Sequence, residues 1–466
     1  MRHSFPPSVR RILEELPESL DETYERILWE IKKSNQGHAH RLLQCLVAAV
    51  RPLRVKELAE VLAMDFDAEG IPKLNPGWRW QDEEEAVISA CSSLVMIVNH
   101  KDSRIVQFSH FSVKEFLTAN RLAEPIRDVS YYHIRLDAAH RIITQACLGI
   151  LLRLDDRPDC NSLKTSPMAE YAALNWPKHA EFGNTLSRIK DEMECLFDAD
   201  KPHFAMWLRV RNEYIKRRFK DTHISKKHAN KPGNPLFYAA LFGFRDLARN
   251  LIAKHPEDVN LIDGEIGMYP IHAAACRGHA KILSLLLAKG AEVDVWGSCG
   301  QTPLHLTSME GHVKAGRCLL DHGADINARC DITQGGYTVL LRAVFGGFVD
   351  YTRMLLEYGA AINVADNQGN TPLHAALSLI NNRDQLTRLL VDHDADVNVR
   401  NWRGDTPLRL TIYKNNIEIT RLLLKRGADV HAIDNDGFTA GQVASRNPSP
   451  RTALIELLRQ YGDTSV

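Results

Sequence analysis

Over the second half of the chain, the apolar and polar positions repeat with a long period laid over a helical one. Seven segments align: NPLFYAALFGF from Asn234, YPIHAAACRGH from Tyr269, TPLHLTSMEGH from Thr302, TVLLRAVFGGF from Thr338, TPLHAALSLIN from Thr371, TPLRLTIYKNN from Thr406 and TAGQVASRNPS from Thr439. Their second positions step by 35, 33, 36, 33, 35 and 33 residues. Each segment predicts a short helix. The hydroxyl of Thr302, Thr371 or Thr406 is placed to cap the N-terminus, and the proline after it fills the first turn, where a missing N–H costs nothing. Leu304, Leu373 and Leu408 face a core, while Ala273–Ala275 and Ala375–Ala376 let paired helices approach. Gly278 and Gly311 end the first helix in a left-handed conformation. A second helix carries Leu285–Leu287, Leu319–Leu320, Leu355–Leu356, Leu389–Leu390 or Leu422–Leu424. It stops at Gly290-Ala291, Gly323-Ala324, Gly359-Ala360 or Gly427-Ala428. No unit can bury its apolar face alone, so neighbours must stack.

The first half shows no such period. Ile12, Leu13, Leu16, Leu20, Tyr24, Ile27, Leu28 and Ile31 recur at helical spacing. Pro17 divides them into two helices, the second capped near Ser19 or Asp21. Further helices are predicted at about 39–50, 55–64 and 82–92. Residues 94–99 and 104–110 are rich in β-branched and aromatic side chains across HKDS and read as a hairpin, followed by a helix in FSVKEFLTANRLA. Three helices, a hairpin and a helix give the order of a winged-helix domain at about 37–123. Residues 124–230 read as a helical connector, with a long apolar helix at 138–154. Trp176, Phe197, Phe204 and Trp207 are expected to pack it. The run KRRFKDTHISKKHANK at 216–231 is basic and reads as a solvated linker.

A period near 33 with T-P-L-H resembles the ankyrin repeat, and it covers residues 231–466 as about seven units. The outer units are degenerate, as caps should be: Asn234 replaces Thr in the first, and Ala440 replaces Pro in the last. The fourth has Val339 for Pro and an insertion around Asp331–Gly336, and the fifth lacks the mid-repeat glycine. The fold class expected is therefore mainly α: a winged-helix domain and helical connector, then an ankyrin α-solenoid with β-hairpin tips.

Composition narrows the function. Lys+Arg and Asp+Glu are both 58, so bulk charge gives no pull towards nucleic acid or anionic membranes. No stretch approaches the about 18 consecutive apolar residues of a membrane span, and MRHSFPPSVRRILEEL has no secretory apolar region. The nine cysteines include no C-x-x-C pair, so neither a disulfide framework nor a zinc site is indicated. The expectation is a soluble, intracellular chain, cytoplasmic or nuclear, with reduced thiols.

LPESLDETYERIL, LLQCLVAAVRPLRVKELAEVLA, WRWQDEEEAVISACSSLVMIV, VQFSHFSVKEFLTANRLA and AEYAALNWPKHA resemble fungal NACHT-type STAND proteins. In that family, LPESLDETYERIL follows the NTPase core and leads into the winged-helix domain of GPI inositol-deacylase-like proteins, then a connector and ankyrin repeats. The resemblance implies a receptor of the NOD-like type, switched by nucleotide and sensing through its repeats. It makes residues 1–36 the helical segment that follows the NTPase. Yet no G-x-x-x-x-G-K-[ST] loop occurs in the chain, so the family's NTPase would lie before Met1. A truncated paralogue, an incomplete gene model and a stand-alone scaffold all fit.

The resemblance also implies that His110, in FSHFSVKEFL, approaches a bound ADP phosphate. Without a phosphate loop, local hydrogen bonding is the better reading, and no cofactor is expected. No G-x-S-x-G or H-E-x-x-H occurs, so no catalytic residue and no metal ligand is expected. His272, His305 and His374 recur along the stack and cannot converge on one metal; bonds between neighbouring repeats explain them. DNA contact by the winged helix is disfavoured because its recognition helix, DEEEAVISACS, opens on four acidic residues. What remains is the ankyrin surface for a protein partner. Its tips carry Trp296, Ser298, Arg329, Asn367, Gln368, Trp402, Arg403, Asn435 and Asp436. Trp296 and Trp402 lead them, because exposed Trp and Arg are favoured at interface hot spots.

Overall fold

The computed structural model describes residues 19–66, 71–78, 82–91, 93–100, 103–124, 129–154, 166–218, 233–264, 266–298, 300–330, 335–446 and 452–464. The chain is mostly helical and divides into two compact units, residues 1–222 and 223–466. Helix α1 (Leu20–Trp29) starts where Ser19 Oγ accepts from Glu22 N at 3.2 Å, as its sequence predicts. The helix expected at 12–16 lies outside the described residues, as does most of the basic run at 216–231.

In the first unit, α2 (Gln36–Ala48), β1 (Leu53–Arg54), α3 (Val55–Leu62), α4 (Glu83–Cys91), β4 (Val95–His100), β5 (Ser103–Phe108) and α5 (Phe111–Thr118) follow in turn. A two-strand ladder of β2 (Met64–Asp65) and β3 (Lys73–Leu74) intervenes between α3 and α4. The sheet order is β1-β5-β4, with Leu53 opposite Val106 and Val95 opposite Phe108. This is a winged-helix arrangement in which β1 completes the sheet against the hairpin. Glu57, fully buried, takes a bidentate bond from Arg51 at 2.6 and 2.8 Å and one from Arg54 N at 2.7 Å. A buried carboxylate needs this complete set of donors to offset its desolvation.

The connector is α6 (Leu136–Leu151), α7 (Ala169–Ala180), α8 (Thr185–Arg188), α9 (Lys190–Leu196) and α10 (His203–Arg218). Glu60 of α3 accepts from Ser166 Oγ and Met168 N at 2.9 and 2.8 Å, anchoring the start of α7. Trp176, Phe197, Phe204 and Trp207 are buried, with ring centroids 5.3–6.1 Å apart, as expected for the connector core. Pro177 lies inside α7, where it has no N–H for the carbonyl four residues back. That carbonyl, of Ala173, instead accepts from Trp207 Nε1 at 2.9 Å.

The second unit is a stack of helix pairs: α11 (Pro235–Leu241) and α12 (Arg245–Lys254); α13 (Pro270–Cys276) and α14 (Ala280–Ala288); α15 (Pro303–Met309) and α16 (Val313–Asp321); α17 (Val339–Phe345) and α18 (Val349–Glu357). Three more pairs follow: α19 (Pro372–Ser378) and α20 (Arg383–Asp392), α21 (Pro407–Tyr413) and α22 (Ile417–Lys425), α23 (Ala440–Ser445) and α24 (Thr452–Gln460). Gly278 and Gly311 both take φ +68°, as the turn after each first helix requires. In the fifth and sixth pairs, Asn382 (φ 55°) and Asn415 (φ 52°) fill that role, since asparagine tolerates the left-handed region best after glycine. Asp394 at φ 62° replaces the glycine of the Gly-Ala step, and Ala395 N still closes on Leu390 O at 3.1 Å.

Candidate partner-binding surface

The TPLH segments set the geometry from which the tips project. At Thr302 and Thr371, the backbone N–H and the hydroxyl both meet Nδ1 of the histidine three residues on, at 3.3 and 2.9 Å for His305 and 3.3 and 2.8 Å for His374. The histidine thus shares the capping role that the sequence assigns to threonine alone; at Thr406 the hydroxyl accepts from Arg409 N in the simple manner. With Nδ1 accepting, the ring proton sits on Nε2, which donates to the next repeat: His272 to Gln301 O (3.1 Å), His305 to Tyr337 O (3.3 Å) and His374 to Asp405 O (3.1 Å). Burial lowers the pKa of His272 and His305 to about 4, and lowers that of His374. These histidines are rungs between repeats, as their spacing predicts.

Besides Phe237 and Gln442 in the two outer repeats, the ladder changes character at two places. Leu341 replaces histidine in the fourth repeat and is fully buried. Arg409 replaces it in the sixth, where Nη1 donates to Phe438 O at 2.9 Å, the carbonyl equivalent to those the histidines reach. Its Nε pairs with Asp405 at 2.9 Å and Nη2 pairs with buried Asp434. The sequence reading passed over this network. The signal was there in TPLR, followed by an aspartate at the start of the next tip.

The tips are tight turns, with single antiparallel bridges at Arg329–Thr338 and Ile433–Thr439. Each of the last three is closed by its first side chain. Asp366 Oδ1 accepts from Gln368 N and Asn370 N, Asn401 Oδ1 from Arg403 N and Asp405 N, and Asp434 Oδ1 from Asp436 N and Phe438 N, all at 2.8–3.0 Å. Such Asx turns hold the intervening side chains outward.

Successive tips are also bonded to one another. Ser298 N donates to Gly267 O, Asn367 N to Gly335 O, Arg329 Nη2 to Ala365 O, Trp402 N to Gln368 O and Asn435 Nδ2 to Trp402 O, at 2.8–3.1 Å. Arg329, Asn367, Gln368, Trp402, Arg403 and Asn435 are thereby brought onto one run of adjacent tips, all exposed. Trp402 is 61% exposed, with the Arg403 guanidinium 5.4 Å from its ring. Trp296 is 51% exposed but stands apart, with two tips between it and Trp402; its nearest ring is His305 at 6.4 Å. The last turns of α15, α17 and α21 expose Met309, Phe345 and Tyr413, apolar side chains outside the tips.

His110 belongs to the first unit and is exposed at the start of α5. Its Nδ1 accepts from Ser112 N at 3.3 Å and meets Ser112 Oγ at 2.6 Å, and Ser112 Oγ in turn meets Tyr24 Oη at 2.8 Å. Among the described residues no cluster of histidine, cysteine and carboxylate could hold a metal, no cysteine forms a disulfide, and no helix is long and apolar enough to cross a membrane.

Ankyrin repeats match in three copies at residues 236–330, 328–401 and 381–465, and the winged helix domain of GPI inositol-deacylase matches residues 24–126. The chain is similar to azaphilone pigments biosynthesis cluster protein L of Monascus ruber, 31% identical over 60% of this chain and 61% of that protein. It therefore spans about three fifths of that relative's length. Among solved structures, the ankyrin repeat domain of Bcl-3, a member of the IkappaB family, is 26% identical with a TM-score of 0.44. It matches 49% of this chain and 100% of the Bcl-3 chain. The ankyrin repeat domain of human ASB11 is 28% identical with a TM-score of 0.41, over 48% of this chain and 96% of that one. Ankyrin repeats are a protein–protein interaction module, and this chain carries one.

Proposed function

We propose that the chain is a non-enzymatic interaction scaffold or sensor, acting in the cytoplasm or nucleus. It takes a protein partner on the ankyrin tips, and neither nucleic acid nor membrane. In this reading residues 1–36 form a lead segment, 37–123 the winged helix, 124–230 the connector and 231–466 the repeats. The observation that carries it is the bonded run of tips from Arg329 to Asn435. There an exposed Trp402 and its Arg403 neighbour are held outward by turns that need no partner to form. A pre-shaped aromatic and arginine surface loses little entropy on binding. Purified partner complexes should lose at least about tenfold in affinity when Trp296 and Trp402 are both replaced by alanine, while the chain's unfolding transition stays in place. Unchanged affinity in the folded double variant would move the interface off the tips.

A second reading has one observation in its favour, the winged-helix match at 24–126. In this reading the chain is the regulatory and sensing part of a nucleotide-switched NACHT-type STAND receptor, and His110 faces nucleotide held by an NTPase domain in a longer form. A transcript whose in-frame upstream sequence encodes a GK[ST] loop would support it. The bond of His110 to Ser112, which Tyr24 holds in turn, predicts no thermal shift of the present chain with ADP.

A further inference from the structure

The first unit contains a buried chain of hydrogen bonds that no binding or sensing role above uses. Val50 N donates to Tyr171 Oη at 3.3 Å, Tyr171 Oη lies 2.9 Å from His179 Nε2, and His179 Nδ1 lies 2.8 Å from His140 Nδ1. Val50 follows α2 of the winged helix, His140 belongs to α6, and Tyr171 and His179 to α7. His179 is fully buried and His140 is 6% exposed.

One polarity of the chain leaves no buried donor without an acceptor. The Tyr171 oxygen accepts from Val50, and its own proton then finds its acceptor in His179 Nε2. His179 then carries its proton on Nδ1 and donates to His140 Nδ1, which leaves the His140 proton on Nε2. Both rings are neutral, and both acceptors are used. An added proton on His140 Nδ1 would set N–H against N–H across 2.8 Å. On His179 Nε2 it would displace the Tyr171 hydroxyl.

Among the described residues, the charges recorded at the two rings are positive, so an added proton meets repulsion. The charged groups facing the rings are Lys114 of α5 and Lys178 of α7. Arg51 lies over the Tyr171 ring at 4.8 Å, and Glu57 is taken up by Arg51 and Arg54 N. Tyr214 of α10 faces Arg51, and the Cys45 and Cys147 thiols are held protonated by burial. Asp137 at the start of α6 is paired with Arg135, and Glu192 of α9 feels Asp191 and neither ring. Phe182 covers His140 face to face at 3.6 Å.

We propose that the His140–His179 pair is a proton-operated latch, in which uptake of one proton breaks the bond between the two rings and loosens α6 from α7. Burial holds His140 near about 4 and His179 near about 3, against 6.5 for an exposed ring. The closed latch therefore refuses the proton that the open latch accepts. For one proton, the open fraction rises about 20-fold between pH 7 and pH 5.

Hydrogen exchange of the intact chain, corrected for intrinsic rates, tests this at residues 136–151 and 169–181, with 103–108 as the internal reference. Protection of the two segments relative to the reference should fall about 20-fold from pH 7 to pH 5. It should become pH-independent when His140 and His179 are both replaced by phenylalanine. A ratio constant within twofold in the wild type, or an undiminished response in the double variant, overturns the latch. Nitrogen-15 spectra of the histidine rings in the wild-type chain give a check that no variant's folding can confuse. The latch requires His179 protonated on Nδ1 and His140 on Nε2 at pH 7, and the opposite tautomer on either ring excludes it.

Discussion

In the first unit the ties that close the structure span 88 residues from Tyr24 to Ser112, 108 from Glu60 to Met168 and 121 from Val50 to Tyr171. In the repeat array the rungs span 29 residues at His272, 32 at His305, 31 at His374 and 29 at Arg409. One unit is therefore held by contacts that all depend on a common fold, the other by a local contact made again and again. Loss of one tie should be felt throughout the first unit, whereas the array's stability is a sum of repeats and the interfaces between neighbours.

The strongest challenge to this contrast is acid, because it strikes several rungs together. His272 and His305 have folded-state pKa values near about 4, below the 6.5 of the unfolded chain. The unfolded state takes the proton first, so the rungs' contribution is complete above about pH 6.5 and drains away as pH falls towards 4. Each ring then accounts for about 3 kcal/mol. Urea melts followed by exchange within the repeats should show the loss across pH 6.5 to 4, and replacing His305 by glutamine should reduce the slope.

Trp207→Ala comes next, at about 5 kcal/mol, since it opens a cavity and strips the Ala173 carbonyl of its donor. The first unit should melt earlier as one transition, with the array's melt unmoved; partial loss confined to α10 would break the contrast. Arg409→Ala leaves Asp405 and Asp434 without their guanidinium and should cost about 3 kcal/mol. Exchange should rise in the last two repeats alone, and Arg409→His should restore part of the loss by reaching Phe438 O as the other rungs do. The smallest effect belongs to the exposed tips: replacing Trp296 and Trp402 with alanine should change stability by no more than about 0.5 kcal/mol, read from the same melts.

Legibility in the sequence follows the same divide. The repeat period, the capping threonines, the left-handed glycines and the inter-repeat histidines are local signals, and each was readable. The wing hairpin was readable too, because β4 and β5 are long enough to show their β-branched pattern. β1 and the β2–β3 ladder were not, since two residues carry no period. Nor was the meeting of His140 with His179, made by two helices whose packing no local pattern encodes. At the tips, the exposed tryptophans could be chosen from their position before TPLH. The bonding of Trp402 to its neighbours, and the isolation of Trp296, needed the turns themselves.

The proline inside α7 has a consequence for the order in which the chain is made. A ribosome delivers α7 before α10, and domains fold as units as they emerge. The carbonyl of Ala173 has no donor within its own helix, and the indole that satisfies it lies 34 residues downstream. Until Trp207 has been made, the Ala173 carbonyl lacks the donor it has in the folded connector, and water must take that place. The bond that completes the early helix is thus written into a later one.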